Sequence, residues 1–125
     1  MTDLLKSMAV AASGMAAQGS RLRITTENIA NADTPGYRRK LIPFEATEDG
    51  GVRAGRVNLD PAEPRKIYDP ANPLADADGY YEGSTVDVIT EVANAREAQR
   101  SYEANLKMFD QARQMTSSLL GLLRQ

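Results

Sequence analysis

The chain of 125 residues contains no cysteine and no histidine. Without cysteine there is no disulfide, no thiolate ligand and no thiol nucleophile. Without histidine there is no imidazole ligand and no imidazole base. Chemistry is left to Ser, Thr, Lys, Tyr and carboxylates, so the composition predicts a protein that is not an enzyme, binds no metal or cofactor and takes no small-molecule substrate. A dominant charge is missing as well: 15 Lys and Arg stand against 17 Asp and Glu, a net −2. No global field therefore draws the chain to nucleic acid or to an anionic membrane. Long apolar runs are absent too. Nothing approaches the ~20 residues of a membrane-spanning helix. The apolar stretch from Met8 to Ala12 stops at Ser13-Gly14, short of the roughly 7–15 residues of a cleaved signal. Residues 1–31 are expected to belong to the working protein, with no membrane insertion.

Proline is scarce and unevenly placed. Pro43, Pro61, Pro64, Pro70 and Pro73 fall between residues 38 and 84, among Gly50, Gly51, Gly55, Gly79 and Gly83. No long helix survives that spacing. In this middle segment "RRKLIPFEA" and "VRAGRVNL", separated by "TEDGG", predict a hairpin of two short strands. Arg65 to Tyr68 suggests a third strand, and "DPANPLADADG" an extended loop with turns.

Both flanks carry helical patterns. Leu5, Ala12, Gly19 and Thr26 form one column at steps of seven, and Met8, Met15, Leu22 and Ile29 a second column. These are a and d positions, which ask for a partner helix rather than a globular core. Gly14 and Gly19 inside the run cost about 1 kcal/mol each relative to Ala, so this helix should be poor alone and good when packed. From Thr85 to Arg124, Val88, Ala95, Tyr102, Phe109, Thr116 and Leu123 recur every seven, with Val92, Leu106 and Leu120 beside them. A second stripe, Met108, Ala112, Met115, Leu119 and Leu122, appears toward the end. Asp87 is the expected N-cap, and Glu103 stands four residues before Lys107 in the favourable order.

The fold class expected is mainly α with a small β-rich middle: long N- and C-terminal helices pair as a coiled-coil-like α-hairpin around an extended, β-hairpin insert. The segments are 1–32, 33–84 and 85–125, the first and last forming one helical domain. Met8, Met15, Leu22 and Ile29 are expected to meet Tyr102, Leu106 and Phe109. The C-terminal helix is apolar on more than one seam, and a two-helix hairpin cannot bury both, so the surplus predicts self-assembly. The alternative is a small α+β domain whose middle segment caps the helices.

The sharpest punctuation is "ENIANADTPGYRRK", residues 27 to 40. Asn28 and Asn31 sit where a helix ends and suit a left-handed cap. Thr34 is pushed extended by the proline after it, and Pro35-Gly36 suits the centre of a type II turn. Local physics needs only a helix stop; the functional reading is a fixed corner between a helix and the domain it carries. Arg38, Arg39 and Lys40, with Arg21 and Arg23 upstream, lack the interleaved aromatics of a nucleic-acid surface, which favours solvated or intersubunit ion pairs. "ADADG" fails as a calcium loop, because position twelve falls on Thr85. Glu97 and Glu103 lie among bases on a helix, as on a solvated face.

Three of these stretches together resemble one family. "NIANADTPGYRR" is similar to the N-terminal signature of the flagellar rod and hook axial proteins, carried here by Asn28, Ile29, Ala30, Asn31, Thr34, Pro35, Gly36 and Tyr37. "AQRSYEANLKMFDQARQM" resembles the C-terminal helix of that family, with its core at Arg100, Tyr102, Glu103, Ala104 and Asn105. "YDPANPLADADGYYEGSTVDVITE" resembles the C-type proximal-rod subfamily, with the B type as the alternative. The compact Asp33-Thr34-Pro35-Gly36-Tyr37, Glu91-Val92 and Asn94 depart from the C-type pattern. The resemblance implies a subunit of the basal-body rod, a torque-carrying shaft crossing the periplasm. It implies export through the flagellar type III apparatus without a cleaved signal, and helical assembly with itself and homologous rod proteins. It implies terminal helices that become ordered only at interfaces within the rod. A soluble helical-hairpin adaptor or export chaperone is the rival class.

Overall fold

The computed structural model describes residues 2–124. Two helices dominate it, α1 (Thr2–Ala30) and α2 (Val88–Leu123). At 1.5 Å per residue they are about 44 Å and about 54 Å long. They lie antiparallel, with Asn28 beside Glu91, Arg21 beside Glu97 and Gly14 under Asn105.

Helix α1 ends in a tightening turn, where the Asn31 amide donates to the Glu27 and Asn28 carbonyls and the Ala32 amide to Ile29. Its stop is not the left-handed asparagine expected, since every non-glycine described has negative φ. Asn31 instead turns its side chain back to donate to the Glu27 carbonyl (2.9 Å), and Thr34 donates its hydroxyl to the Asn31 side chain. The next turn matches expectation: the Tyr37 amide donates to the Thr34 carbonyl (3.1 Å), and Gly36 has φ 72°, the type II geometry that needs glycine. Helix α2 begins at Val88, with the Asp87 carboxylate accepting from the Ile89 amide (3.0 Å). Thr85 stays outside the helix, paired elsewhere: its amide donates to the Tyr37 carbonyl, and its hydroxyl accepts from the Arg39 amide.

Six short strands make three antiparallel pairs. β1 (Lys40–Leu41) pairs with β4 (Asn58–Leu59), and β2 (Phe44–Ala46) pairs with β3 (Val52–Ala54). They are one hairpin, interrupted. Ile42 and Pro43 bridge the gap on the outgoing strand, but Gly55, Arg56 and Val57 bridge it on the return. One extra residue is a β-bulge, which bends the ladder. Pro43 has no amide to give there, while its carbonyl accepts from Gly55 (2.7 Å). The bent outer half lies along α1, where the Val52 amide donates to the Ser13 hydroxyl (3.1 Å). β5 (Lys66–Tyr68) pairs with β6 (Tyr80–Glu82), and the Tyr68 and Tyr80 rings stand 5.2 Å apart. β6 follows directly on the expected loop, which the Asp76 carboxylate organises by accepting from the Asp78 and Tyr80 amides.

The interior is thin. Among the described residues the buried apolar side chains are Ala11, Ala17, Ile24, Val86, Ala98 and Ala112. Gly14, Thr25 and Asn28 complete the buried line of α1. That line runs one residue back from the expected columns, a rotation of about 100° around the helix. Ile24 apart, small and polar groups therefore face α2, and the other large apolar residues of α1 sit at the flanks.

Candidate assembly surface and the corner that positions it

The corner is organised by one asparagine. Asn28 is 1% exposed. Its amide nitrogen donates to the Lys40 carbonyl (3.0 Å), and its oxygen accepts from the Lys40 amide (2.9 Å). The side chain thus pairs with Lys40 as a neighbouring strand would, which joins a helix to the start of a hairpin. The same oxygen accepts from the Tyr37 hydroxyl (2.8 Å). Glu91 at the first turn of α2 is also 1% exposed and accepts from the Arg39 guanidinium (2.5 Å). A buried carboxylate needs such a partner, because an unpaired one costs several kcal/mol. Lys40 bonds Glu27 at the rim.

Charge and burial tune these groups together. Burial pushes the Tyr37 hydroxyl above its usual range, and the Glu27 and Glu91 carboxylates add to the shift. The Lys40 ammonium is raised by its hydrogen bond to Glu27. In the hairpin turn, the Thr47 hydroxyl and the Gly51 amide hold Asp49 below the usual carboxylate range. The Tyr80 amide does the most to lower Asp76.

Arg21, Arg38, Arg39 and Lys40 differ from the solvated or intersubunit pairing expected of the basic cluster, because they have partners within the chain, while Arg23 is exposed. Arg38 donates to the Asp60 and Ala62 carbonyls, and Arg21 reaches Asn94 and Glu97. Glu97 is therefore engaged across the hairpin, not merely solvated. Glu103 and Lys107 do not pair; the one ion pair within α2 joins Asp110 and Arg113. An open cleft of about 390 Å³ lies at the corner, between Arg21, Asn28, Arg39, Glu91 and Asn58. Along it Arg21 bonds Asn94, Asn28 bonds Lys40 and Arg39 bonds Glu91, an arrangement that holds elements together. Among the described residues no three His, Cys, Asp or Glu gather as a metal site, and no helix is long and apolar enough to cross a membrane.

The expected seam residues divide into two sets. Met8, Ala12, Met15, Gly19, Leu22, Ile29, Ala95 and Phe109 are half-buried along the flanks of the hairpin. Leu5, Val88, Val92, Tyr102, Leu106, Met115, Leu119 and Leu122 are exposed. The intrachain contact expected between Met8, Met15, Leu22 and Ile29 and Tyr102, Leu106 and Phe109 is not the buried line. Glu91, Ala98, Asn105 and Ala112 occupy the corresponding inner face of α2. Asn105 lies so close over Gly14 that a Cβ there would come within 2.7 Å of its amide. Only small groups allow that approach, which is why the large ones are displaced outward.

Of the signature residues, Asn28 and Tyr37 enter the buried network and Asn105 packs on Gly14. Ile29 and Asn31 are half-buried; Ala30, Thr34, Pro35, Gly36, Arg100, Tyr102, Glu103 and Ala104 are exposed. Sequence reasoning missed Glu91 as a buried partner. Its signal was faint: a carboxylate four residues past the N-cap, opposite a basic triplet distant in sequence. It also missed Ile89, which is 82% exposed.

Known proteins match the sequence along the chain. Residues 8–38 match the family described as "Flagella basal body rod protein", and residues 77–122 match "Flagellar basal body rod FlgEFG protein C-terminal". The "Flagellar basal-body rod protein FlgC" of Agrobacterium fabrum is 40% identical, over 99% of this chain and 98% of the relative. The protein of the same description from Yersinia enterocolitica is 37% identical over 96% and 98%, and that from Salmonella typhimurium 36% over 95% and 97%.

Proposed function

The chain belongs to the flagellar basal-body rod proteins, and from that membership we propose how its surface builds the rod. It is a structural subunit of the basal-body rod. In this reading the subunit is not an enzyme. It assembles helically with copies of itself and with homologous rod proteins, and the terminal helices supply the contacts. The resulting shaft carries torque near the base of the rod, across the periplasm. The subunit reaches that place through the flagellar export apparatus, without a cleaved signal.

The observation that carries the reading is the surface left uncovered. A folded monomer of 13.6 kDa is expected to expose about 6,600 Å², whereas this one exposes 8646 Å². The difference is comparable to what a subunit buries on meeting several neighbours. The exposed apolar groups concentrate on α2, where Val88, Val92, Tyr102 and Leu106 follow one side and Met108, Met115 and Leu122 the other. Two stripes on one helix give it two neighbours. This surplus, and the thin interior it leaves behind, also weighs against a free-standing adaptor or chaperone.

Leu106→Asp tests the proposal. Leu106 is 42% exposed, so the variant should keep the free chain's helix content. It should nevertheless be missing from purified basal bodies when these are analysed by mass spectrometry, and the cells should not swim. Normal rods and swimming with Leu106→Asp would show that α2 does not carry the contacts.

A further inference from the structure

Each strand of the short ladders has one edge turned to its partner and one turned away. In an antiparallel ladder, alternate residues direct their N–H and C=O groups to opposite edges. The bonds that continue each ladder therefore fix which residues face outward. The Asp60 amide donates to the Arg39 carbonyl, so the outward residues of β1 and β4 are Lys40 and Leu59. The Thr47 amide donates to Gly51, which turns Phe44 and Ala46 of β2 outward, and Val52 and Ala54 of β3. The Gly83 amide donates to Arg65 and the Asp69 amide to Gly79, which turns Lys66 and Tyr68 of β5 outward, and Tyr80 and Glu82 of β6. The chain itself covers the edges of β1, β3 and β6. Asn28 bonds both backbone groups of Lys40, and β3 lies on α1, where Ser13 accepts from Val52. Asp76 bonds Tyr80, and the Gly36 amide donates to Glu82. Among the described residues, nothing bonds the outward backbone groups of β2, β4 and β5.

An open edge is a template for another strand, and charge says which. β5 follows Arg65 and contains Lys66, whereas β2 contains Glu45 and runs into Glu48 and Asp49. β4 offers only Leu59, between Arg56 and Asp60, with no net sign. Like charges oppose pairing of β5 with β5 and of β2 with β2, so β2 and β5 are the complementary edges. They stay unpaired within one chain, so each is left for another copy. We propose that β2 of one subunit adds antiparallel to the open edge of β5 of the next, with Ala46 opposite Lys66 and Phe44 opposite Tyr68. Parity requires outward residues to face one another. Of the registers parity permits, this one sets two exposed aromatic rings, Phe44 and Tyr68, side by side on one face. It also brings Lys66 diagonal to Glu48; both are exposed and outside any ion pair among the described residues. Because β2 meets β5 and not a second β2, the contact passes from copy to copy as an open helix. The pairing rests on the rod reading for the neighbouring copy, and it adds a contact outside the helices.

The chain has no cysteine, so introduced cysteines are the only ones in it. Opposed Cα atoms in such a pair stand about 5.5 Å apart, which suits a disulfide. Full-length chain carrying both Ala46→Cys and Lys66→Cys should therefore give disulfide-linked multiples of itself in basal bodies treated with a mild oxidant. Ala46→Cys with Ile67→Cys should not, because the Ile67 side chain lies on the other face. A double variant that is incorporated but forms no link would overturn the pairing. So would an equal link from Ala46→Cys alone, which needs β2 against β2. Charge gives a second readout that does not depend on cysteine. Glu48→Lys, as the sole copy of the chain, should lower its amount in basal bodies, and Lys66→Glu added to it should restore that amount. An unchanged amount, or a loss that Lys66→Glu does not restore, would also overturn the pairing. If the unsubstituted chain is itself absent from basal bodies, the rod reading fails instead, and the same cross-link in concentrated purified chain decides the pairing.

Discussion

Asn28, Tyr37 and Lys40 show how few side chains hold the corner, and two predictions belong to single residues. The first concerns pH. Tyr37 and Lys40 are both raised above their ordinary values of 10.0 and 10.5, so the folded corner keeps protons that the unfolded chain has released. The stability they contribute is whole below pH 10 and is lost as pH rises through their folded values. Near-ultraviolet circular dichroism and the thermal midpoint should therefore be flat from about pH 7 to about pH 9.5 and fall above it. Tyr37→Phe should fall less steeply, and it should lose about 1 kcal/mol at neutral pH with the bond to Asn28. An equal alkaline slope in Tyr37→Phe would remove Tyr37 from the account. The second concerns Gly14. Alanine there gains about 1 kcal/mol of helix propensity, but its methyl group meets an Asn105 side chain that is tied to the Ser101 carbonyl. Overpacking of that kind costs about 1–3 kcal/mol. Gly14→Ala alone should lower the denaturation midpoint, while Gly14→Ala in an Asn105→Ala background should raise it. If the single change also raises it, Asn105 is free to move and does not set the register.

At the scale of elements, the helices, their approximate ends, the Asp87 cap and the Pro35-Gly36 turn were legible in the sequence, because each depends on neighbours in the chain. The phase of the seam was not. Apolar columns were expected to face inward, yet the hairpin closes over Ala11, Gly14, Ala98 and Ala112, and the larger residues are left outside. Periodicity records where apolar residues line up, not which body they will touch. The helix pairing inverts the usual effect of substitutions on α2. Ala98→Leu, at a fully buried position, should destabilise the free chain by about 1–3 kcal/mol through overpacking. Leu122→Ser, at 66% exposure, should change it by no more than about 0.5 kcal/mol yet reduce incorporation into rods. Denaturation of the free chains and quantification in basal bodies would separate the two; a Leu122→Ser chain that incorporates normally would release that stripe from the interface. β6 and the Glu91 pair were hidden for a related reason. Both depend on partners far off in the sequence, Lys66–Tyr68 for the strand and Arg39 for the carboxylate.

For the whole molecule, the relevant quantity is how much order the chain can sustain without company. Helices α1 and α2 comprise 29 and 36 residues, and a dilute solution should show less helix by circular dichroism than those lengths imply. The signal should rise as subunits polymerise, while a chain that is fully helical at all concentrations would place its stability within the monomer. The β segment gives the molecule a second connection between its parts, through the Val52 amide on Ser13 of α1. That contact depends on a matter of parity. Three residues, Gly55 to Val57, stand opposite two, Ile42 and Pro43, and the odd residue turns the outer half of the hairpin toward the helix. Deleting Arg56 would make the count even, straighten the ladder and carry Val52 away from Ser13. The hairpin would remain a hairpin, but its arm would point elsewhere.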